Sequence, residues 1–177
     1  MTSFTNNYLG VQSMNKKYIS VLVDNHEGVL TRLSSLFCQR GFNIDSLTVS
    51  ATNDKSLSRV TITTSGNDEE MTQIINQTKK LYEFEGIYEL DPNDSLIREL
   101  LLVKIAADEK NRSSLLELST IYKAKIIDIS DGSMVFELTG KPAKLDSYIE
   151  NLKNYNIIEM CRTGATALQR GNVKMTK

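Results

Sequence analysis

The seven residues from Asp24 to Leu30 form the part of the chain best suited to bind a small molecule. They join an apolar run at residues 18–23 to a helical pattern that ends at Gly41. A strand that turns directly into a helix leaves several backbone N–H groups unpaired, and the positive end of the helix dipole lies beside them. Because Gly28 has no side chain, a ligand can approach the backbone there. The turn therefore suits a small anion such as an amino-acid carboxylate.

Two asparagines and the single histidine could add polar contacts to this turn. Asn25 could cap the helix, turn the backbone, or hold the ammonium group of a ligand through its amide oxygen. Asn43 begins the next predicted strand, and we expect it to lie near Asn25 and to face the same helix N-terminus. For His26, a solvent-facing position in the turn is the simpler interpretation, and contact with a ligand is the alternative.

The residue types give little support for a metal site, for catalysis or for a phosphate-binding loop. With two cysteines and one histidine, the sequence contains no Cys or His cluster of the kind that holds a metal ion. Reduced, mostly buried thiols are the simplest interpretation of Cys38 and Cys161, since a Cys–His catalytic pair would lack an evident third group. The acidic pairs at 69–70 and 108–109 fall at predicted helix starts, where capping and the helix dipole explain them. No phosphate-binding glycine loop occurs.

Size and charge narrow the possible classes of protein. A chain of 177 residues is long enough for one large domain or two small ones. Its 21 basic and 22 acidic residues give a formal net charge of −1, which argues against nucleic-acid binding and against a polybasic membrane patch. No apolar run approaches the ~20 residues that a membrane span needs. We expect residues 1–16 to form a flexible extension, in which Met14 could be the native start, and the protein to be cytoplasmic.

The first half of the chain has the pattern of strand–helix–strand, twice over. Its predicted strands lie at residues 18–23, 43–51, 58–64 and 87–90. An apolar stripe over residues 29–40 predicts the first helix. Asn67 and Glu70 resemble a capping box that opens the second helix, whose apolar face would include Leu81 and Tyr82. The strand at 58–64 alternates apolar with polar residues, so we expect it to be half solvated.

The second half repeats this order after a break at residues 91–94. Its strands are predicted at residues 99–106, 125–129, 134–139 and 157–163. Helices are predicted over 111–122 and from Pro142, and Gly132 supplies the positive φ that a hairpin favours. The sequence thus predicts an α+β protein of two tandem ferredoxin-like βαββαβ units. We place them at 17–92 and 96–172, with a tail at 173–177.

Each predicted unit is small, and part of its sheet would be exposed. A four-stranded sheet with both helices on one face exposes its other face and its edges. Pairing of two copies edge to edge would complete the hydrogen-bonding ladder and bury the turn at 25–30 against a second chain, and a symmetric homodimer is the simplest such arrangement. Ligand sites at that interface would couple binding to quaternary geometry. An RNA-recognition module has the same element order, but the central strands lack the surface aromatics it needs.

Two long segments carry a resemblance to a known family. Residues 19–32, ISVLVDNHEGVLTR, resemble the start of an ACT domain. Residues 36–49, LFCQRGFNIDSLTV, are similar to the regulatory (small) subunit of acetohydroxyacid synthase, also called acetolactate synthase. Shorter likenesses occur at 57–62, 98–105 and 162–164, so the resemblance covers about residues 17–172. The pair His26-Glu27 differs from the residues usual in that turn.

The resemblance implies a non-catalytic ACT-domain subunit with no cofactor of its own. Such subunits bind a larger, thiamine-diphosphate-dependent catalytic subunit, which converts two pyruvates to acetolactate and CO2. They raise its activity and confer feedback inhibition by a branched-chain amino acid, usually valine. Carried over residue by residue, the effector site would comprise Asn25, Gly28, Val29, Leu30, Asn43 and Ile44. Backbone N–H groups near Gly28 would hold the carboxylate, the asparagines would orient the polar end, and Leu30 and Ile44 would line the side-chain pocket.

Two other hypotheses stay open on the sequence alone. A free-standing ACT-type sensor could bind an amino acid and regulate a different enzyme. The second unit and the match at 162–164 favour the small-subunit interpretation over this one. A small enzyme that uses Cys38 or Cys161 would lose its activity when either is replaced by alanine, and we expect no such activity.

Overall fold

The computed structural model describes residues 16–80 and 83–173 of the chain. Along these residues the elements are β1 (Lys16–Asp24), α1 (Val29–Gln39), β2 (Ile44–Ala51), β3 (Leu57–Ser65), α2 (Asp68–Thr78), β4 (Phe84–Leu90), β5 (Ser95–Ala106), α3 (Arg112–Tyr122), β6 (Lys125–Ser130), β7 (Ser133–Gly140), α4 (Pro142–Asn151), β8 (Ile157–Arg162) and β9 (Thr166–Gln169). The predictions for the N-terminal extension, for Leu81 and Tyr82, and for the C-terminal tail lie outside the described residues, except at Lys16 and Val173.

The strands form two antiparallel sheets, one in each half of the chain. In the first unit, which contains β1–β4 with α1 and α2, the strand order is β2-β3-β1-β4. In the second unit, which contains β5–β9 with α3 and α4, the order is β6-β7-β5-β8, and β9 pairs with the beginning of β5. The predicted α+β fold with two tandem βαββαβ units is confirmed. The residue limits given above for the two units stay predictions.

Strand alternation and helix periodicity place an apolar core beneath the helices of each unit. In the first unit, Ile19, Val21 and Ile62 of the sheet pack with Leu33 and Phe37 of α1, and all five are fully buried. Leu33 and Phe37 are four residues apart and so lie on one stripe of the helix. The core of the second unit includes Leu101, Val103, Ile105, Leu115, Phe136 and Leu145. These packed layers fix the positions of the loops at the ends of each sheet.

Several predicted element ends are confirmed. Asn67 and Glu70 form the capping box of α2, with N···O distances of 2.8 and 3.0 Å. Gly41 after α1 and Gly132 between β6 and β7 have φ angles of 72° and 78°, which glycine adopts without strain. Pro142 occupies the first turn of α4. The largest differences from the predicted limits are at β4 and β5, which both begin several residues earlier because their ladders extend beyond the apolar runs.

The prediction that the strand at 58–64 is half solvated is wrong. Thr61 and Thr63 of β3 lie on the face away from the helices, yet they are only 3% and 5% exposed. The reason is that this face of the first sheet is covered in part by the end of the second unit. Ala165 and Ala167 pack in one buried cluster with Tyr18 of β1 and other residues.

The strand β9 is a feature that the sequence pattern does not predict. It forms because β5 begins at Ser95 and offers a partner, so that Ile97 pairs with Ala167 and Leu96 with Leu168. Ile97 and Ala167 face inward and are buried, whereas Leu96 and Leu168 face outward. Four residues with small inward side chains give too short an alternation to be recognised without the partner strand.

The described ranges, 16–80 and 83–173, contain neither a membrane-spanning helix nor a metal-binding cluster. No helix in them is long and apolar enough to cross a membrane. No group of three or more His, Cys, Asp or Glu side chains in them is arranged to hold a metal ion.

Candidate functional site

The start of α1 is open toward the solvent. Gly28 is the N-cap residue with φ at 88°, no side chain caps the helix, and no acidic residue lies in the first turn. The first intrahelical bond runs from the Arg32 N–H to the Gly28 carbonyl, at 3.0 Å. The N–H groups of Val29, Leu30 and Thr31 therefore have no acceptor within the helix. A Cβ on Gly28 would meet nothing within 4 Å, so the glycine is required for its backbone conformation and the space beside it is open.

The start of α2 provides a direct contrast. The Asn67 side chain accepts the Glu70 N–H, and the Glu70 carboxylate accepts the Asn67 N–H. Asp68 and Glu69 add two more negative charges to the same turn. These side chains satisfy the helix dipole and its N–H groups from within the chain. An external anion would gain little at α2, whereas α1 leaves the same groups available.

A buried carboxylate lies next to the open turn. The Asp24 N–H donates to the Glu83 carbonyl at 3.0 Å, which places residue 83 at the end of β1. The Glu83 side chain is 2% exposed, and its Oε1 accepts from Arg32 Nη1 at 2.5 Å. His26 Nε2 lies 3.9 Å from the same oxygen. Within the described residues, Glu83 Oε2 is buried and has no hydrogen-bond partner. The turn and α1 are thus tied to the chain just before β4.

The Glu83–Arg32 contact is not predictable from the sequence pattern. Residue 83 precedes β4, and only the register that pairs Phe84 with Val23 brings it to the turn between β1 and α1. His26, interpreted above as a solvent-facing turn residue, is about half exposed but directs its ring toward this buried carboxylate.

The Asn25 side chain does not cap α1 but forms hydrogen bonds to residues 55 and 58. Its Nδ2 donates to the Lys55 carbonyl at 3.0 Å, and its Oδ1 accepts from Ser58 Oγ at 3.0 Å. Its backbone N–H donates to the Ser56 carbonyl at 2.7 Å. Asn25 therefore fastens the turn between β1 and α1 to the turn between β2 and β3. These contacts use one of the two protons of Nδ2 and one of the two lone pairs of Oδ1, so a ligand that bonded the amide would do so alongside them.

The expectation that Asn43 lies near Asn25 within one chain is wrong. The Asn43 carbonyl accepts from Thr64 Oγ1 at 2.6 Å, whereas Asn25 bonds Ser58. Ser58 and Thr64 are six residues apart on one strand, which corresponds to about 20 Å. The physical reason is that β1 and β2 are both antiparallel to β3 and so run parallel to each other, with α1 between them. The end of β1 and the start of β2 then lie at opposite ends of the sheet.

The predicted site residues thus form two separate groups in one chain. The helix half-site consists of Asn25, Gly28, Val29 and Leu30, and the strand half-site consists of Asn43 and Ile44. In the helix half-site Leu30 is 41% exposed and Val29 is buried, so Leu30 presents its side chain to a ligand and Val29 only its backbone. In the strand half-site Asn43 is exposed and donates to Asp45 Oδ1 at 3.0 Å. Ile44 is partly buried against the core.

The cysteines do not form a catalytic arrangement with the histidine. Both are free thiols and both are exposed, so the expectation of mostly buried thiols is wrong. Cys38 is near the end of α1, and His26 precedes the start of this helix, so about 15 Å of helix separates them. Cys161 lies on β8 of the second unit.

The second unit has clefts beside its two helices. One, of about 350 Å³, lies between α3 and α4 and is lined by Ile121, Asn151 and Tyr155 among others. The other, of about 540 Å³, lies beside the start of α3. There Asp108 Oδ1 already accepts the N–H groups that precede the helix, at 2.9 and 3.0 Å. The start of α3, like that of α1, has no side-chain cap and no acidic residue in its first turn, but its N-cap is Asn111 in a right-handed conformation and not a glycine.

Comparison with known proteins gives matches over both units. Residues 19–84 match the family described as the AHAS small subunit-like ACT domain, where AHAS is acetohydroxyacid synthase, and residues 98–171 match the family described as the small subunit of acetolactate synthase. The probable acetolactate synthase small subunit of Archaeoglobus fulgidus is 42% identical over 159 residues, which cover 90% of this chain and 99% of that protein. The acetolactate synthase small subunit of Mycolicibacterium smegmatis is 42% identical over 153 residues, or 86% of this chain and 90% of that protein.

A solved structure extends the likeness to three dimensions. The crystal structure of the acetolactate synthase small subunit from Thermotoga maritima superposes with a TM-score of 0.82 at 35% identity, and the match covers 89% of this chain and 99% of that one. Both units, and not only the first, therefore have counterparts in this set of proteins.

Proposed function

This chain belongs to the family of acetolactate synthase small subunits, and on that premise we propose that it activates the catalytic subunit of the enzyme and makes it sensitive to inhibition by valine. As a regulatory subunit it acts by binding. The conversion of two pyruvates to acetolactate and CO2, with thiamine diphosphate, is the work of the catalytic partner. The product belongs to the branched-chain amino-acid pathway, so inhibition by valine would be feedback inhibition.

The observation that carries the effector proposal is the open start of α1. The N–H groups of Val29 and Leu30, which have no acceptor within the helix, and the helix dipole favour a carboxylate, and Gly28 leaves room for it to reach the backbone. The exposed side chain of Leu30 provides apolar surface beside this position. A carboxylate next to an apolar side chain is the chemistry of a free branched-chain amino acid.

A second copy of the chain would explain why the two half-sites lie apart. In the described part of the first sheet β2 is an edge strand, free to pair on one side. If two copies pair along β2 in antiparallel fashion about a two-fold axis, the start of each β2 lies beside the end of its partner's β2. The strand half-site of one copy then reaches the end of the sheet that holds the helix half-site of the other. Pairing along β4 would instead leave the strand half-site at the opposite edge of the sheet, away from the partner chain.

A site shared in this way supports regulation as well as binding. The helix half-site would hold the carboxylate, the Asn43 amide oxygen would accept from the ammonium group, and Ile44 with Leu30 would enclose the side chain. Because one ligand would contact two chains, it would favour the dimer geometry in which both half-sites fit. A preference of ~1–3 kcal/mol between two such geometries would alter affinity about fivefold to a hundredfold.

The two alternatives have less support. A free-standing sensor would need only the first unit, yet both units match small subunits over nearly their full length. A cysteine enzyme would need a base near Cys38 or Cys161, and the described residues place no histidine beside either.

The proposal is tested by acetolactate formation with a purified cognate catalytic subunit. We expect the chain to co-purify with that subunit, to raise its rate, and to make the rate fall when valine is added. Leucine and isoleucine, added separately, establish which amino acid is the effector. A catalytic subunit whose rate and valine response are the same with and without this chain would overturn the proposal.

A further inference from the structure

The segment from Arg162 to Ala167 connects the two units through contacts at both of its ends. At its far side, Ala165 and Ala167 pack with Tyr18 and Leu90 of the first sheet and with Ile97 of β5. All five are nearly inaccessible to solvent. The end of the second unit is thus packed against the first sheet.

Gly164 makes the tightest part of this contact. A Cβ built on Gly164 would lie 2.5 Å from Thr48 Oγ1 and 3.1 Å from Ser46 Oγ, both on β2. The φ of Gly164 is outside the left-handed region, so contact with β2, and not its backbone conformation, is what requires glycine here. Thr48 Oγ1 is buried and lacks a hydrogen-bond partner among the described residues. The Gly164 backbone therefore rests directly on the Thr48 and Ser46 side chains of β2, with no side chain of its own to absorb a shift.

Arg162, two residues earlier, anchors the same segment to the second unit. Its Nε donates to Glu99 Oε2 at 2.6 Å, and its Nη1 donates to Asp146 Oδ1 at 2.5 Å. Glu99 belongs to β5 and Asp146 to α4, so one guanidinium ties the segment to a strand and a helix. Burial opposes the charge of Arg162, but the two carboxylates outweigh it, and the pKa of Arg162 is raised above its ordinary value. The anchor stays charged throughout the physiological range of pH.

The strand under Gly164 is also the strand that carries the strand half-site. Ile44 begins β2, and Ser46 follows it two residues later. A displacement of β2 on effector binding would press on, or withdraw from, the Gly164 backbone. Because Arg162 fixes the other end of the segment, the displacement would move β5 and α4 relative to the first sheet.

From these contacts we propose that Gly164 is a positioning residue that transmits effector binding at β2 to the second unit, with Arg162 as its anchor. The inference rests on the proposed function, since it assumes that the effector acts at the half-sites. It adds that effector binding changes the position of the second unit, and that it does so through the contact of the Gly164 backbone with β2.

The test is a mutant cycle across this contact in the complex with the catalytic subunit. Gly164→Ala introduces the clashing Cβ, and adding Thr48→Ala removes the atom that it meets first. We expect Gly164→Ala to raise the valine concentration for half-inhibition by about fivefold or more, with the activation measured without valine unchanged. The double variant should recover most of the wild-type response. Thr48→Ala alone opens a gap at the same contact, so it should also weaken inhibition by valine. Thr166→Ala, at an exposed position two residues after Gly164, is the matched control and should behave as wild type.

A second measurement separates a loss of transmission from a loss of valine binding. Calorimetry of valine binding to the regulatory chain alone should give wild-type affinity for Gly164→Ala, because the half-sites themselves are untouched. If this variant does not fold, Thr48→Leu repeats the test by enlarging the contact from the β2 side.

Two results would overturn the inference. One is a Gly164→Ala complex that valine inhibits at the wild-type concentration. The other is a double variant as insensitive as the single one. A wild-type chain that confers no valine inhibition would instead overturn the proposed function, so the two failures are distinguishable.

Discussion

Single residues decide which helix start in this chain is open to a ligand. At α2, Asn67 and Glu70 satisfy the N–H groups from within the chain. At α1, Gly28 holds the N-cap position without a side chain, and no carboxylate lies in the first turn. The nearest buried carboxylate, Glu83, is engaged by Arg32. The open helix start therefore keeps its affinity for an external anion.

The residue-scale prediction concerns Gly28. Gly28→Asp places a negative charge where the effector carboxylate would bind, and it forces a Cβ into a left-handed conformation that costs ~1–2 kcal/mol. We expect valine affinity, measured by calorimetry, to fall about tenfold or more, while activation of the catalytic subunit is largely retained. Gly132→Asp is the matched control, because Gly132 has a similar φ of 78° but lies in the second unit, away from both half-sites. Equal affinities in Gly28→Asp and wild type would remove the helix half-site from the account.

Among the elements, those with a strong local pattern are the ones predicted well. The apolar stripe of α1, the capping box of α2 and the hairpin at Gly132 each depend on neighbours within one or two turns. β9 depends on the beginning of β5, about 70 residues away along the chain, and has no local signal of its own.

The candidate site shows the same limit. The helix half-site follows from a local pattern, a strand followed by a polar turn with Gly28 and then a helix. The distance between Asn25 and Asn43 instead depends on the direction of β1 and β2 relative to β3. The predicted element order already contained that information, since a βαβ connection makes β1 and β2 parallel. The contact between Gly164 and β2 depends on how the two units pack and leaves no mark in a single sequence.

The element-scale prediction concerns the capping box. Asn67→Ala removes the side-chain acceptor of the Glu70 N–H, so the free energy of unfolding should fall by about 1 kcal/mol. Urea denaturation followed by circular dichroism measures the difference, with Asn53→Ala in an exposed turn as the control. Since α2 lies outside both half-sites, valine affinity should be unchanged. A wild-type free energy of unfolding in Asn67→Ala would show that the capping box does not stabilise the fold.

At the scale of the whole molecule, the chain covers part of one face of its first sheet and leaves the sheet with two edge strands. The covering segment, residues 164–167, ends the second unit and rests on the first. In the described part of that sheet β2 is one of the two edge strands, with β4 at the other edge, and β2 carries the strand half-site. A ligand between two copies would therefore act on the same strand that contacts the second unit. In the proposed dimer, quaternary structure would therefore carry the regulation.

The proposed shared site predicts that two defective variants can restore each other when their chains are mixed. In a dimer of Asn25→Ala chains every site lacks its helix-side asparagine, and in a dimer of Asn43→Ala chains every site lacks its strand-side asparagine. A mixed dimer has one site that lacks both and one that is intact, because the intact residues come from opposite chains. If equal amounts exchange freely, about half of the dimers are mixed, and about a quarter of all sites are restored.

The most direct test of the account is therefore valine inhibition of acetolactate formation by the mixture of these two variants. We expect each variant alone to activate the catalytic subunit but to confer weak inhibition by valine. After the two are unfolded together and refolded to exchange chains, part of the wild-type inhibition should return. A refolded mixture no more sensitive to valine than either variant alone, while the wild type treated in the same way is inhibited, would contradict a site built from two chains.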